Sequence, residues 1–257
     1  MIRNKKVIVF GIVFVALSVI SVLSAKFLPI ILEALLEGME NEVGQQILIM
    51  DSSVADSYVQ YISNFSQIGI FLVGILFATA ITKEKDKGTY DSLKMNRVKD
   101  SEIVFSYLVS QIIVISLCYF ISVSVFVLLN ILCFRQIMGL RGLVAILYIY
   151  LLLLITVCFV MFVSCFCKKN RMAYLIVILS YFGVSILEVL PRINKFNPYH
   201  LITIGYNLMY YPEYSLKEHL VTSLFTLMLC VLFVFVSLLI VKNKINNKKV
   251  ETNDNAE

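Results

Sequence analysis

The chain has 257 residues, of which 60% are hydrophobic and only 15% charged, and its mean hydropathy is +0.87. Soluble domains run about 45–50% apolar and about 25% charged, so a cytosolic globular enzyme is excluded, as are disordered and fibrous chains. The net charge of +5 follows from how the basic residues are spread along the chain, described below, and gives no sign of a nucleic-acid partner.

In chain order, six apolar blocks stand out: 7–25, 64–81, 103–132, 143–166, 173–190 and 221–241. A helix that crosses a bilayer needs roughly 20 mostly apolar residues. Glu188 is the one formal charge inside the blocks. Backbone polar groups must be paired within lipid, which makes such blocks helices. Barrel strands would be shorter and would alternate in polarity. The fold class expected is therefore all-α: a single transmembrane domain, 1–257, with six spans. Arg3, Lys5 and Lys6 precede the first block and Leu23-Ser24-Ala25 weakly resembles a cleavage site. The apolar run is longer than a signal-peptide core of about 7–15 residues, so a retained helix is expected. The third block, 30 residues long, must tilt or begin in the headgroup layer. Tyr107 and Gln111 near its start favour the second option.

Charge gives an orientation. With the N-terminus inside, inner segments hold sixteen of the 22 Lys and Arg, and outer segments hold only Lys26, Arg135, Arg141, Arg192, Lys195 and Lys217. The positive-inside rule then makes both termini cytoplasmic. The first outer segment, 26–63, carries Glu33, Glu37, Glu40, Glu42, Asp51 and Asp56 against one Lys. It is expected as a solvated or membrane-edge helix, with attraction of a cationic peptide as the sharper alternative. Trp is absent, so Tyr must supply the interfacial belt. Tyr199, Tyr206, Tyr210, Tyr211 and Tyr214 cluster before the last span. They anchor to headgroups, or the segment 191–220 folds back into the outer leaflet through Leu201, Ile202, Ile204 and Leu208.

Much familiar chemistry is missing. His200 and His219 are the two histidines, and His219 beside Glu213 and Glu218 makes a poor zinc set; no metal is expected. Cys118, Cys133, Cys158, Cys165, Cys167 and Cys230 all lie in spans or at their ends, where cysteine is a small core residue. There is no phosphate-cradling G-x-x-x-x-G-K-[ST], no G-x-S-x-G and no H-E-x-x-H. Glu188, three residues before Pro191, sits too near a span end to relay protons through the membrane centre. Any energy for transport must then come from another chain.

The segment 82–102 is the informative connection, with 11 of its 21 residues charged. Gly88 allows a tight turn. Thr89 is the expected N-cap of a short helix, with Asp91 in its first turn. Tyr90, Leu93 and Arg97 fall at helical spacing and would offer one face to a partner.

Glu84-x-x-x-Gly88-Thr89, followed by a short amphipathic stretch and a long third span, resembles the inner loop of ABC-2 type transporter permeases. The six spans, cytoplasmic termini and folded segment before the last span match as well. The family's usual Pro appears here as Arg97, its following basic residue is offset to Lys99, and only six residues precede the first span. The short form is similar to Gram-positive permeases that export bacteriocins or modulin-type peptide toxins, or that give immunity to them.

The resemblance implies a permease subunit of an ATP-driven exporter in the bacterial cytoplasmic membrane. It is not an enzyme by itself and holds no cofactor; ATP and Mg belong on a partner ABC ATP-binding subunit. It pairs with a second permease copy, and 82–102 becomes a coupling helix. Glu84, Gly88, Thr89, Tyr90, Leu93 and Arg97 become its docking residues. An apolar path suits an amphipathic peptide, with lipid or drug export as further options. Ser110, Gln111, Ser122 and Asn130 either line a polar face of that path or pack helix against helix. The competing classes are a membrane-embedded enzyme, for which clustered Glu, His or Asp are lacking, and a non-transporting immunity or peptide-binding protein.

Overall fold

A computed structural model describes residues 5–36, 53–167, 169–187, 196–211 and 220–254. The helices are α1 (Lys5–Leu36), α2 (Val54–Asn64), a π-helical turn (Phe65–Gly69), α3 (Ile70–Phe77), α4 (Ala80–Asp86) and α5 (Thr89–Met95). They continue with α6 (Asp100–Phe134), α7 (Leu140–Phe166), α8 (Asn170–Leu187), α9 (His200–Tyr210) and α10 (Leu220–Asp254). No strand occurs among the described residues. Six stretches are long and apolar enough to cross a membrane: Val7–Ile31, Val54–Asp86, Asp100–Phe134, Leu140–Phe166, Asn170–Leu187 and Leu220–Lys242. The chain is an all-α polytopic membrane protein.

Two spans differ from the sequence expectation, the second also at its end, which reaches Asp86 inside the expected 82–102 connection. The helix of the first span runs past Lys26, because Phe27, Leu28, Ile30 and Ile31 continue the apolar run and a single lysine can extend its head to the interface. The second span begins at Val54, ten residues before the apolar block. Its first helix is amphipathic, so its polar face hides it from a hydropathy count. Ser57, Tyr58, Tyr61 and Ile62 are buried on the other face. Ser53 caps this helix: its Oγ accepts from the Asp56 N–H at 3.2 Å, and the Asp56 carboxylate accepts from the Ser53 N–H at 3.1 Å. This reciprocal pair satisfies two otherwise orphaned donors. Part of the segment expected as solvated is therefore core. Glu37, Glu40, Glu42, Asp51, Glu188, Tyr214 and His219 lie outside the described residues.

The chain divides into two compact units. The first comprises Met1–Gly69, Ser116–Tyr150 and Leu201–His219. Its core is aromatic. Phe65 lies 4.4 Å from Tyr61 between ring centroids, and meets Phe14 edge-on at 4.9 Å and Tyr119 edge-on at 5.7 Å. Edge-to-face geometry suits the ring quadrupoles. Gly142 lets α7 approach closely, since a Cβ there would meet the Tyr58 ring at 2.6 Å. Leu201, Ile202, Ile204 and Leu208 of α9 are all buried.

The second unit comprises Ile70–Ile115, Leu151–His200 and Leu220–Glu257. One of its clusters joins Ile81, Tyr90, Ile103, Val104, Leu108, Met161, Cys165 and Val241. Another joins Ala78, Val160, Val163, Cys167, Ala173 and Val177.

Candidate partner-docking site

The second span does not run straight into the 82–102 segment. The helix breaks at Ala78-Thr79 and restarts as α4. The first N–H groups of any helix lack partners within it. Thr79, at the N-cap of α4, makes no side-chain cap. Ser164 of α7 takes over: its Oγ accepts from the Ile81 N–H at 2.9 Å and lies 3.4 Å from the Thr82 N–H. Thr82 Oγ1 donates to Asn170 Oδ1 at 2.6 Å, and Asn170 Nδ2 donates to the Asp86 carboxylate. The Thr79 and Tyr174 hydroxyls are 3.4 Å apart. Side chains from two other helices thus hold α4 in place. Sequence reading missed Ser164, Asn170 and Tyr174. The available signal was three polar residues flanking the 167–169 connection, beside apolar spans.

Gly88 ends α4 and turns the chain into α5 with φ +72°, the left-handed region where only glycine is unstrained. Its N–H donates to the Lys85 carbonyl at 3.1 Å, and its own carbonyl accepts from the Ser92 N–H at 3.0 Å. Thr89 is the first residue of α5 rather than its N-cap. The boundary falls one residue earlier than expected because Gly88 already supplies the turn.

At its far end α5 closes with a Schellman motif. The Val98 N–H reaches the Leu93 carbonyl at 3.3 Å, with the intervening Arg97 at φ +60°. Val98 and Leu93 pack on the same core cluster, as the motif's apolar contact requires. A proline, fixed near φ −65°, cannot adopt the Arg97 conformation. The replacement of the family's usual Pro therefore goes with a different helix stop.

The face of α5 was expected to offer Tyr90, Leu93 and Arg97 outward together. The structure separates them. Tyr90 is 5% exposed and Leu93 half-buried, both against the chain's own core. Lys85 Nζ lies 5.2 Å from the Tyr90 ring centre, a cation–π distance. Arg97 is exposed beyond the helix end. The outward face is Thr89, Ser92 and Met95, spaced by three, followed by Asn96. Met95 is 85% exposed, an apolar side chain amid charged and polar neighbours. Glu84 is half-buried, with its carboxylate in hydrogen-bonding reach of the Tyr107 hydroxyl on α6. The Asp91 side chain is outside what the structure describes.

The four residues considered for a polar path are shared between the two units. Ser122 and Asn130 lie in the first unit, Ser110 and Gln111 in the second. Ser122 Oγ donates to the Phe14 carbonyl at 2.8 Å and meets Ser18 Oγ, joining α6 to α1. Asn130 accepts from Ser57 Oγ and donates to the Phe126 carbonyl at 2.9 Å. These two are helix-packing residues. Ser110 is half-buried. Gln111 is fully buried, and neither atom of its amide has a hydrogen-bond partner. Among the described residues no group of His, Cys, Asp and Glu is placed to hold a metal.

Six apolar spans and a helical elbow braced by side chains of α7 and α8 mark an integral membrane protein. The chain belongs to the ABC-2 transporter family: the model for "ABC-2 family transporter protein" matches residues 31–242. It is the membrane permease subunit of an ABC transporter, whose ATP-hydrolysing subunit is a separate chain. No match was found among curated proteins or among solved structures.

Proposed function

We propose that this permease exports amphipathic or hydrophobic peptides of the toxin or bacteriocin type, and that α5 is the coupling helix on which the ATP-binding subunit docks. The positive-inside pattern puts both termini and the 82–102 segment in the cytoplasm of a bacterial cell. Two permease copies then hold two ATPases at the membrane. The docking face is Thr89, Ser92, Met95 and Asn96, with Arg97 at its edge. Glu84, Gly88, Tyr90 and Leu93 serve it from behind by fixing the helix against the permease core.

The observation that carries this reading is Met95. An apolar side chain this exposed beside polar neighbours is what a partner's pocket takes up. The bracing of α4 by Ser164 and Asn170 supports transmission. Movement of a docked subunit reaches the spans only through elements that do not yield locally. The scarcity of charge within the spans favours an amphipathic peptide over a sugar.

The test is co-purification of the permease with its ATP-binding subunit, comparing wild type with Met95→Asp/Ser92→Glu. The double variant should insert normally and keep its thermal stability, since both positions are exposed. Complex formation and stimulated ATP hydrolysis should fall by about tenfold or more, the loss of one central apolar anchor. Unchanged hydrolysis would remove the docking assignment. A wild-type chain that never binds an ATPase would instead fit an immunity or peptide-binding role.

A further inference from the structure

The second unit contains a cavity of about 560 Å³, within the usual size of a ligand site. Its walls come from the second, fourth, fifth and sixth spans, together with Pro198 and Tyr199. Much of the lining is hydrocarbon and ring: Val160, Phe159 and Phe233, with Val177 of α8. Thr156 adds little polarity, because its hydroxyl donates to the Leu152 carbonyl at 2.7 Å. Ser180, Tyr181 and Tyr199 bring hydroxyl groups to the lining. The ring centres of Tyr181 and Tyr199 are 6.0 Å apart. Asn197 holds the Tyr199 backbone: its Nδ2 donates to the Val184 carbonyl at 3.1 Å, and its Oδ1 accepts from the Tyr199 N–H at 3.0 Å.

Length and surroundings identify the occupant. From Val177 to Leu187, both lining residues, the α8 axis rises about 15 Å at 1.5 Å per residue. One leaflet of a hydrocarbon core of about 30 Å has the same depth. The cavity is also continuous with the apolar surface of a membrane span. Gly183 and Leu187 line it and are exposed, beside the exposed stripe Leu179, Phe182 and Ile186. A space with apolar walls, one leaflet deep and opening sideways along a span fits a lipid tail whose polar head lies toward the Leu187 end.

We propose that this cavity is an intramembrane binding site for one acyl chain of a bilayer phospholipid, with the headgroup toward the Leu187 end and Tyr181 and Tyr199 along its wall. The site belongs to a single chain and is independent of the ATPase docking face. Gly183 provides a way to close it. Nothing lies within 4 Å of a Cβ built there, so a ring at this position enters open space without backbone strain.

The full-length protein is reconstituted in phosphatidylglycerol–phosphatidylcholine vesicles with a trace of phosphatidylglycerol carrying a diazirine in mid-chain. After illumination, adducts are mapped by peptide mass spectrometry. Adducts are expected on Phe159, Val160, Val177 and Phe233 as well as on Leu179, Phe182 and Ile186. In Gly183→Phe the cavity adducts should fall about tenfold, the effect of filling the space. The adducts on Leu179, Phe182 and Ile186 should persist and report correct insertion. Leu179→Phe, on the same helix outside the cavity, should leave the cavity adducts unchanged. Cavity residues that stay unlabelled in wild type while the exposed stripe labels would overturn the proposal. The same pattern would follow if a second copy or an exported peptide filled the space. Cavity labelling insensitive to Gly183→Phe would overturn it too.

Discussion

The two units differ in how completely they are packed. In the first, Ser18 with Ser122, Ser57 with Asn130, and Asn64 with Ser21 are paired across helices, while the buried Tyr61 hydroxyl has no hydrogen-bond partner. Their aromatic rings interlock around Phe65. In the second, Ser164 with the Ile81 N–H and Thr82 with Asn170 are paired across helices as well, but Gln111 is buried with both amide atoms unpaired, and a cavity of about 560 Å³ opens among the spans. The first unit has the features of a fixed scaffold. The second keeps unspent packing and hydrogen bonding, the kind of reserve a moving part retains. The contrast also warns against reading polarity in a span as a path. In lipid, a polar side chain is first a means of holding helices together.

The largest effect should come from breaking the scaffold. Phe65→Ala removes a ring with no exposed surface from the centre of the aromatic core. Buried aromatics cut to alanine cost about 3–5 kcal/mol. Lipid is as apolar as the core and reduces the transfer part of that loss, so about 3 kcal/mol is expected here. Apparent thermal stability in detergent micelles checks it. A change within a few tenths of a kcal/mol would mean that the rings do not act as one core.

A pair of substitutions on α6 sharpens the comparison. Asn130→Leu abandons the Ser57 partner and should destabilise by about 1 kcal/mol. Gln111→Leu removes two unpaired buried polar atoms and should stabilise by about 1 kcal/mol. The signs, read from denaturation of the two purified variants, matter more than the sizes. If both lower stability alike, Gln111 has a partner in the folded protein and the contrast between the units fails at this point.

How much of this was legible in the sequence depends on the length scale. Twenty-residue apolar runs are set by bilayer thickness, so all six spans could be read directly. The turn at Gly88 was also legible, because glycine is the residue that a positive φ selects. The start of the second span was not: α2 is amphipathic, and its buried face of Tyr58, Tyr61 and Ile62 is diluted by polar neighbours. The direction of α5 escaped as well. Periodicity puts Tyr90 and Leu93 on one face, but does not say whether that face turns toward the chain or toward a partner. Ser164 and Asn170 act on α4 from about 80 residues away, a separation no local pattern records. Arg97 shares its helical spacing with Leu93, and yet its left-handed backbone takes it out of the helix altogether.

Arg97 also gives the smallest and most discriminating prediction. A non-glycine residue in the left-handed region costs roughly 1–2 kcal/mol, part of which glycine returns as lost chain entropy. Arg97→Gly should therefore stabilise the permease by about 0.5 kcal/mol, and Arg97→Pro should destabilise it, because the ring forbids the observed φ. If stability were the only demand on this position, glycine would serve better than arginine. An exposed guanidinium at the edge of the proposed docking face supplies a reason for the strained choice. Arg97→Gly should then raise thermal stability while weakening the ATPase complex, most visibly at low salt, where a rim charge acts on the association rate. Stability and docking that rise together in Arg97→Gly would leave the arginine with no role at that face.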